Sequence, residues 1–460
     1  MGAPSFPASA VTFRNRTGVA VARAVRTVQP VRLILLGYLA CIVAAWVLLS
    51  LPWAQAVGGV SALDHLFTAT SAVSTTGLAT VSPPGSYSLF GELVILVAIQ
   101  VGGVGYMSLG SFIVLSRGRR MSKTRARLFA ADLSMPQSFR LDEFVRGIVI
   151  YTLAAETLGA LALWALFANA GVDGALYQAI FHSVSAFCTA GFSLFDDSLV
   201  GFADDVGVNA VVATLAYLGA VGFIVAVDGW RVVSGQQARL TVTSRIILRL
   251  TLLLTLLGTL VLFVVDGADL GAAPATRWLA AFFQAMTAMT TVGFNTVDVG
   301  GLSQGALFVV ILLMIVGASP SGTGGGLKTT TLSAVFAVAR SVLRGEREVT
   351  WRGRRIPTDR VLAAVASLAF YGAVLTLGLL ALTLTESEPF LTLAFEAASA
   401  LGTVGLSMGA TGALTPLGKL AVIALMFAGR LGPLSFGSAL FLRDETATAP
   451  DLDDEVDVVL

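Results

Sequence analysis

The sequence predicts an all-α membrane protein of four modules, each running span, half-helix, turn, span (M1-P-M2), with eight transmembrane helices in all. Three observations lead there. Over its 460 residues the chain is 56% hydrophobic and only 12% charged, with a mean hydropathy of +0.84, too apolar for a soluble multidomain protein. Its long apolar stretches are separated by connections that alternate between basic and acidic. A short T-x-G motif also follows each of four shorter apolar stretches at a near-constant interval.

The long stretches cover residues 31–52, 88–116, 143–168, 206–231, 244–265, 305–340, 359–384 and 416–442, each long enough to cross a bilayer. The first follows Arg14, Arg16, Arg23 and Arg26 and precedes Ala54-Gln55-Ala56, a pattern that a signal peptide would share. Its apolar core of 19 residues, 33–51, exceeds the ~7–15 of a signal and suits a retained span. Basic residues cluster at 14–32, 117–127, 231–249 and 340–360, whereas the intervening connections carry Asp173, Asp196, Asp197, Asp204, Asp205, Asp266, Asp269, Asp298, Glu386 and Glu388. By the positive-inside rule both termini and every second connection are cytoplasmic. The units are then an N-terminal segment 1–30, modules 31–127, 128–235, 236–350 and 351–443, and an acidic tail 444–460 expected to be disordered.

Between the spans of each module lie LDHLFTATSAVS (63–74), YQAIFHSVSAF (177–187), WLAAFFQAMTAMT (278–290) and PFLTLAFEAASAL (389–401). They have helical periodicity but are too short for a core about 30 Å thick, which makes them candidate re-entrant half-helices. Directly after them come Thr75-Thr76-Gly77, Thr189-Ala190-Gly191, Thr291-Val292-Gly293 and Thr403-Val404-Gly405, with glycines separated by 114, 102 and 112 residues. One such tripeptide is noise; four in equivalent places are a repeat. A second landmark follows 25, 28, 24 and 24 residues later, at Gly102, Gly219, Gly317 and Gly429, where small residues serve close helix packing or line a pore.

Non-helical backbone at membrane depth is tolerated only inside protein or beside a water-filled cavity. Four turns in one orientation therefore converge on one pore axis. Glycine there lets successive carbonyls face the axis and replace the hydration shell of a monovalent cation. The half-helices aim their negative C-terminal ends at the same point.

On the fourfold motif and the eight-span layout, which cover residues 30–443, the sequence resembles the Trk/Ktr/HKT superfamily of cation transporters, and the KtrB-type potassium-translocating subunits in particular. The resemblance implies potassium uptake across the bacterial cytoplasmic membrane, with sodium as an activator in some members. It also implies a homodimer with one pore per protomer and a cytoplasmic ring of nucleotide-binding RCK (KtrA-type) regulatory subunits. Serine at the first filter position accompanies sodium transport in the superfamily, so Gly77 favours potassium. With one glycine per loop, the filter offers fewer sites than the TVGYG of potassium channels.

The stretch GASPSGTGGGLKTT begins at residue 317 inside an apolar run. Gly317, Gly322, Gly324, Gly325 and Gly326, with Ser319 and Pro320, interrupt the helix. Leu327 before Lys328 breaks any Walker A pattern. The resemblance implies that 317–328 is an intramembrane gating loop below the filter, made mobile by its glycines. Lys328 either repels cations at a closed gate or snorkels to the cytoplasmic interface. Arg430 in the middle of a span is costly without a function, and the family's GR-x-GP motif implies a barrier role beside the loop. Glu156 and Asp228 are candidate partners for either cation.

The rival transport reading is a secondary transporter, sodium-selective or non-selective for monovalent cations, but such folds often use inverted repeats. An enzyme lacks support: no paired carboxylates, His cluster or nucleophile constellation lies in the spans. His65 and His182 are expected to pack, Cys41 and Cys188 to remain unbridged, and no organic cofactor or nucleic-acid partner is implied. The basic stretch 340–357 suits anionic lipid or the regulatory ring.

Overall fold

A computed structural model describes residues 30–105, 141–267, 270, 273–351, 353–432 and 437. Residues 1–29 of the N-terminal segment, the basic stretch 117–127, Asp269 and the acidic tail lie outside the described residues.

Fourteen helices of eleven residues or more form the body among the described residues. They are α1 (Pro30–Leu49), α2 (Ala62–Val73), α3 (Leu89–Gln100), α4 (Leu141–Asn169), α5 (Ala175–Phe187), α6 (Val206–Val221) and α7 (Phe223–Val233), then α8 (Val242–Asp266), α9 (Arg277–Thr290), α10 (Gln304–Ile315), α11 (Thr329–Leu343), α12 (Thr358–Thr385), α13 (Phe390–Gly402) and α14 (Pro416–Leu431). A two-stranded antiparallel hairpin, β1 (Thr350–Trp351) with β2 (Arg354–Arg355), precedes α12. Several helix starts are fixed by local side chains. Ser61, Ser88, Asp205, Thr241, Ser303 and Thr415 each accept a hydrogen bond from the backbone of the first helical turn, caps worth about 1 kcal/mol apiece.

Three helices, covering Gly147–Asn169, Val242–Asp266 and Thr358–Thr385, are long and apolar enough to cross a membrane. Two of the expected spans are not continuous. The segment 206–231 bends by 98° between α6 and α7, because Gly222 takes φ 86° and leaves the helical path. The segment 305–340 leaves the helix after Ile315 and re-enters it at Thr329. Of the span expected at 88–116, α3 continues as a π-helical turn over Val101–Gly105, and the rest lies outside the described residues.

The short helices α2, α5, α9 and α13 have 12, 13, 14 and 13 residues, about 20 Å at 1.5 Å per residue. Each packs against the helices before and after it in the chain. Each also receives the outgoing helix of another module: α3 packs on α5, α6 on α9, α10 on α13, and α14 back on α2. The order closes on itself, so the four short helices share a centre. Their buried faces carry the core, including Phe67, Phe181, Phe283 and Phe395. The outer faces of α1 and α8 expose Leu36, Val43 and Val47, and Leu252, Leu256, Leu260 and Val264, as an apolar surrounding requires.

The landmark glycines explain how closely these layers meet. A methyl on Gly102, Gly219 or Gly429 would overlap the carbonyl oxygen of Val73, Phe187 or Leu401, near the end of a short helix. In the third module the chain has already left the helix, and Gly317 abuts Gly325 instead. Gly429→Ala is therefore expected to destabilise the fold by about 1–3 kcal/mol. Gly372→Ala, in α12 with nothing within 4 Å, should be neutral or stabilise by up to about 1 kcal/mol. Thermal unfolding in detergent measures both; equal effects would contradict the packing account.

Candidate functional site

Every short helix ends in the same way. Thr75, Thr189, Thr291 and Thr403 take left-handed φ values of 51°, 51°, 58° and 48°, and Gly77, Gly191, Gly293 and Gly405 follow at 93°, 64°, 87° and 98°. A β-branched residue in that region costs about 1–2 kcal/mol, yet all four copies adopt it. The turns are held from behind. The amides of Thr76, Ala190, Val292 and Val404 donate to the carbonyls of Ser71, Ser185, Thr287 and Ser399 at 2.8–3.1 Å. The amides of Gly77, Gly293 and Gly405 donate to the hydroxyls of Ser71, Thr287 and Ser399 at 3.0, 3.1 and 3.1 Å. Ser185 and Thr287 also donate to the carbonyls of Phe192 and Phe294, at 2.8 and 2.7 Å.

The four turns meet as a ring. A methyl on Gly77 would overlap Ala190 O; on Gly191 it would collide with Val292 O, on Gly293 with Val404 O, and on Gly405 with Thr76 O. The amide donors are used within each module, while no donor among the described residues reaches the carbonyl oxygens of the T-x-G turns. The threonines are fully buried. An unpaired buried carbonyl costs about 1–3 kcal/mol, so a closed ring of them suits a cation.

Three residues nine positions before a T-x-G glycine hold the loops that follow the turns or pack beside them. Glu396, fully buried, accepts from Ser407 Oγ at 2.6 Å, Met408 N at 3.0 Å and Thr411 Oγ1 at 2.6 Å. His182 Nε2 lies 2.9 Å from Ser193 Oγ while Nδ1 faces Gln178 O at 2.7 Å, and its ring stacks on Phe195 and Phe294. Gln284 is buried in the same place without a side-chain partner. His65 belongs to a separate contact with Tyr87.

Residues 317–328 lie directly under this ring and touch three of the turns. Thr323 Oγ1 meets Thr189 Oγ1 at 3.1 Å and donates to Phe187 O at 3.0 Å. Gly325 N donates to Thr291 Oγ1 at 3.2 Å, and Gly325 also abuts Thr403. Ser319 N and Thr323 N donate to Ala220 O and Gly219 O, both at 3.0 Å. Those acceptors belong to the last turn of α6 and are left without helical amide partners by the bend at Gly222. Phe223 N donates in turn to Ser321 O at 3.2 Å, so the bend and the loop form one unit. Ala318, Ser319, Pro320, Gly322, Thr323, Gly324, Gly325, Gly326 and Leu327 are all buried. The glycines of the loop admit close approach: side chains at Gly322, Gly324 and Gly325 would overlap Ala220 O, Thr291 Oγ1 and Thr403 Oγ1.

Arg430, 5% exposed, fastens the loop. Its Nη1 bonds Thr323 O, Nη2 donates to Gly102 O at 2.7 Å, and Nε to the Tyr38 hydroxyl at 3.1 Å. That hydroxyl also lies 2.9 Å from Val73 O. Lys328 Nζ donates to Gly324 O at 2.7 Å, tying the loop to its own exit helix. Glu156 accepts from Gln100 at 3.2 Å and lies beside Cys188; Asp228 accepts from Gln237 at 3.0 Å and Thr241 N at 2.7 Å.

The sequence reading overlooked Ser71, Ser185, Thr287 and Ser399. Their signal was present: each stands six residues before a T-x-G glycine and precedes an alanine, Ala72, Ala186, Ala288 or Ala400.

A family model described as "TrkH: Cation transport protein" matches residues 51–437. The "Ktr system potassium uptake protein B" of Vibrio alginolyticus is 36% identical over 420 residues, 90% of this chain and 92% of that protein. Its namesake in Bacillus subtilis is 34% identical, over 88% of this chain and 92% of its own length. The "Potassium/sodium uptake protein NtpJ" of Enterococcus hirae is 31% identical, over 92% and 95%. The crystal structure of the potassium transporter TrkH from Vibrio parahaemolyticus superposes with a TM-score of 0.72 at 20% identity, covering 90% of this chain and 86% of that one; it shows the shared fold.

Thr287→Val keeps the shape of Thr287 but leaves Gly293 N and Phe294 O unpaired. It is expected to cost about 1–3 kcal/mol per group, read by thermal unfolding in detergent; an unchanged transition would show that the hydroxyl does not hold the turn.

Proposed function

Because the chain belongs to the TrkH/Ktr family of cation transport proteins, and so is a transporter rather than an enzyme, we propose that it takes up potassium through a pore at the centre of four M1-P-M2 modules. The observation that carries this reading is the ring of T-x-G turns whose carbonyls meet no donor among the described residues. A monovalent cation entering it exchanges water for Thr75, Thr76, Gly77 and their counterparts in the other three modules, at little reorganisation cost because the turns are braced from behind. The names of the relatives support potassium as the ion, and that of the Enterococcus protein supports a role for sodium as activator.

The loop 317–328 is the gate in this reading. It lies below the ring, and the Arg430 guanidinium adds a fixed positive charge beside the path. Opening it breaks the bonds of Ser319, Thr323 and Gly325 and the Arg430 clasp, about 2–6 kcal/mol in all at 0.5–1.5 kcal/mol each. A closed state favoured by that much needs a partner to open it, which the word "system" in the relatives' names supports. The partner is a cytoplasmic RCK-type ring, the transporter a homodimer, and both termini lie in the cytoplasm, as the basic connections support.

The test is cation flux into liposomes by wild type, Gly77→Ser and a chain lacking 318–326. The excision can close because Ala318 N bonds Gly325 O at 3.0 Å and Leu327 N bonds Ile315 O at 3.0 Å. Wild type should prefer potassium to sodium, Gly77→Ser should lose that preference because its side chain overlaps Ala190 O, and the excision should raise flux. Absence of monovalent flux from folded wild type would overturn the pore; unchanged flux after excision would overturn the gate.

A further inference from the structure

A cleft of about 370 Å³ opens beside the first turns of α8, at the end of that helix away from the half-helix α9. Three guanidinium groups border it: Arg245 and Arg249, one turn apart on α8, and Arg354 on the hairpin. None of them has a carboxylate partner among the described residues. The nearby acids are engaged otherwise, Glu348 with Arg355 at 3.0 Å and Glu346 with Ser341 and Thr350 at 3.0 and 2.8 Å. Trp351 closes the cleft on the hairpin side and is braced edge-on by Phe336 of α11 at 6.5 Å.

Further along α8 the wall is apolar. Leu250 and Leu253 line it, and Leu253 is 51% exposed. Leu253 stands eleven residues into α8, about 16 Å along its axis, which is hydrocarbon depth for a helix that spans the membrane from its first turn. A soluble anion or a cytoplasmic protein could meet the arginines but would have no use for that wall. A phosphate headgroup joined to an acyl chain matches both ends of the cleft, and a tryptophan at the junction suits the membrane interface.

We propose that this cleft binds an anionic phospholipid, with its phosphate among Arg245, Arg249 and Arg354 and an acyl chain along Leu250 and Leu253. Ser333, which also lines the cleft, belongs to α11, and α11 begins directly after the loop 317–328. A lipid bridging α8 and α11 therefore bears on the segment that carries the gate; that consequence rests on the reading above, whereas binding itself does not.

The experiment is native mass spectrometry of the purified full chain with phosphatidylglycerol or phosphatidylcholine, which needs no transport. Phosphatidylglycerol should be retained in preference. Arg249→Gln and Arg354→Gln, both at exposed positions, should each weaken retention about fivefold. Leu253→Trp, which fills the cleft without changing charge, should weaken it too. Equal retention of phosphatidylcholine, or full retention by the Arg249→Gln, Arg354→Gln double variant, would overturn the site. Displacement by inorganic phosphate would overturn the lipid assignment in favour of a free anion.

Discussion

The structure depends on a backbone constraint: a ring of carbonyl groups at the centre of an apolar body that no donor among the described residues reaches. Such groups are costly unless something positive meets them, and a fold does not collect them in a ring by accident. Keeping them there requires a threonine and a glycine in left-handed backbone in each turn, a serine or threonine hydroxyl behind it, and a half-helix short enough to end at the centre. The rest of the architecture supplies those conditions four times. The outgoing helices close the ring by packing on one half-helix after another, at glycines whose missing side chains let carbonyls touch the helix surface.

That constraint also accounts for the least regular part of the chain. The loop beneath the ring needs partners for its own amides, and it finds them in carbonyls released by the 98° bend between α6 and α7. Arg430 gives the same loop a second set of bonds, and its side chain joins the fourth module to the first through Gly102 and Tyr38. Buried arginine is expensive, but here its donors meet backbone oxygens and a hydroxyl. Hydrogen bonds that run between modules can be released by small movements of one module against another, which is how modest signals move a packed two-state element.

Much of this was legible in the sequence because the relevant signals were periodic or repeated. The half-helices appear within about two residues of the stretches read from apolar periodicity, and the T-x-G turns sit at their ends. Residue chemistry along a line does not report where a helix bends in response to a distant segment, so nothing set Gly222 apart inside the span read over 206–231. For the same reason the close packing of 317–328 was not legible: at Gly322, Gly324 and Gly325 carbonyl and hydroxyl oxygens leave no space for a side chain. Ser71, Ser185, Thr287 and Ser399 were visible at a constant spacing, but nothing marked them until the amide bonds they accept were known. The partners of Arg430 come from residues more than a hundred positions away, Thr323 and Gly102, which only the closed ring of modules brings together.

The central claim is that the T-x-G carbonyls hold a dehydrated monovalent cation. The most direct test is anomalous diffraction from crystals soaked in rubidium, an electron-rich stand-in for potassium. The account predicts anomalous density enclosed by the carbonyls of Thr76, Ala190, Val292 and Val404 and the turns around them, displaced by potassium. Rubidium density elsewhere along the pore, with none in the ring of a protein that still transports, would contradict it.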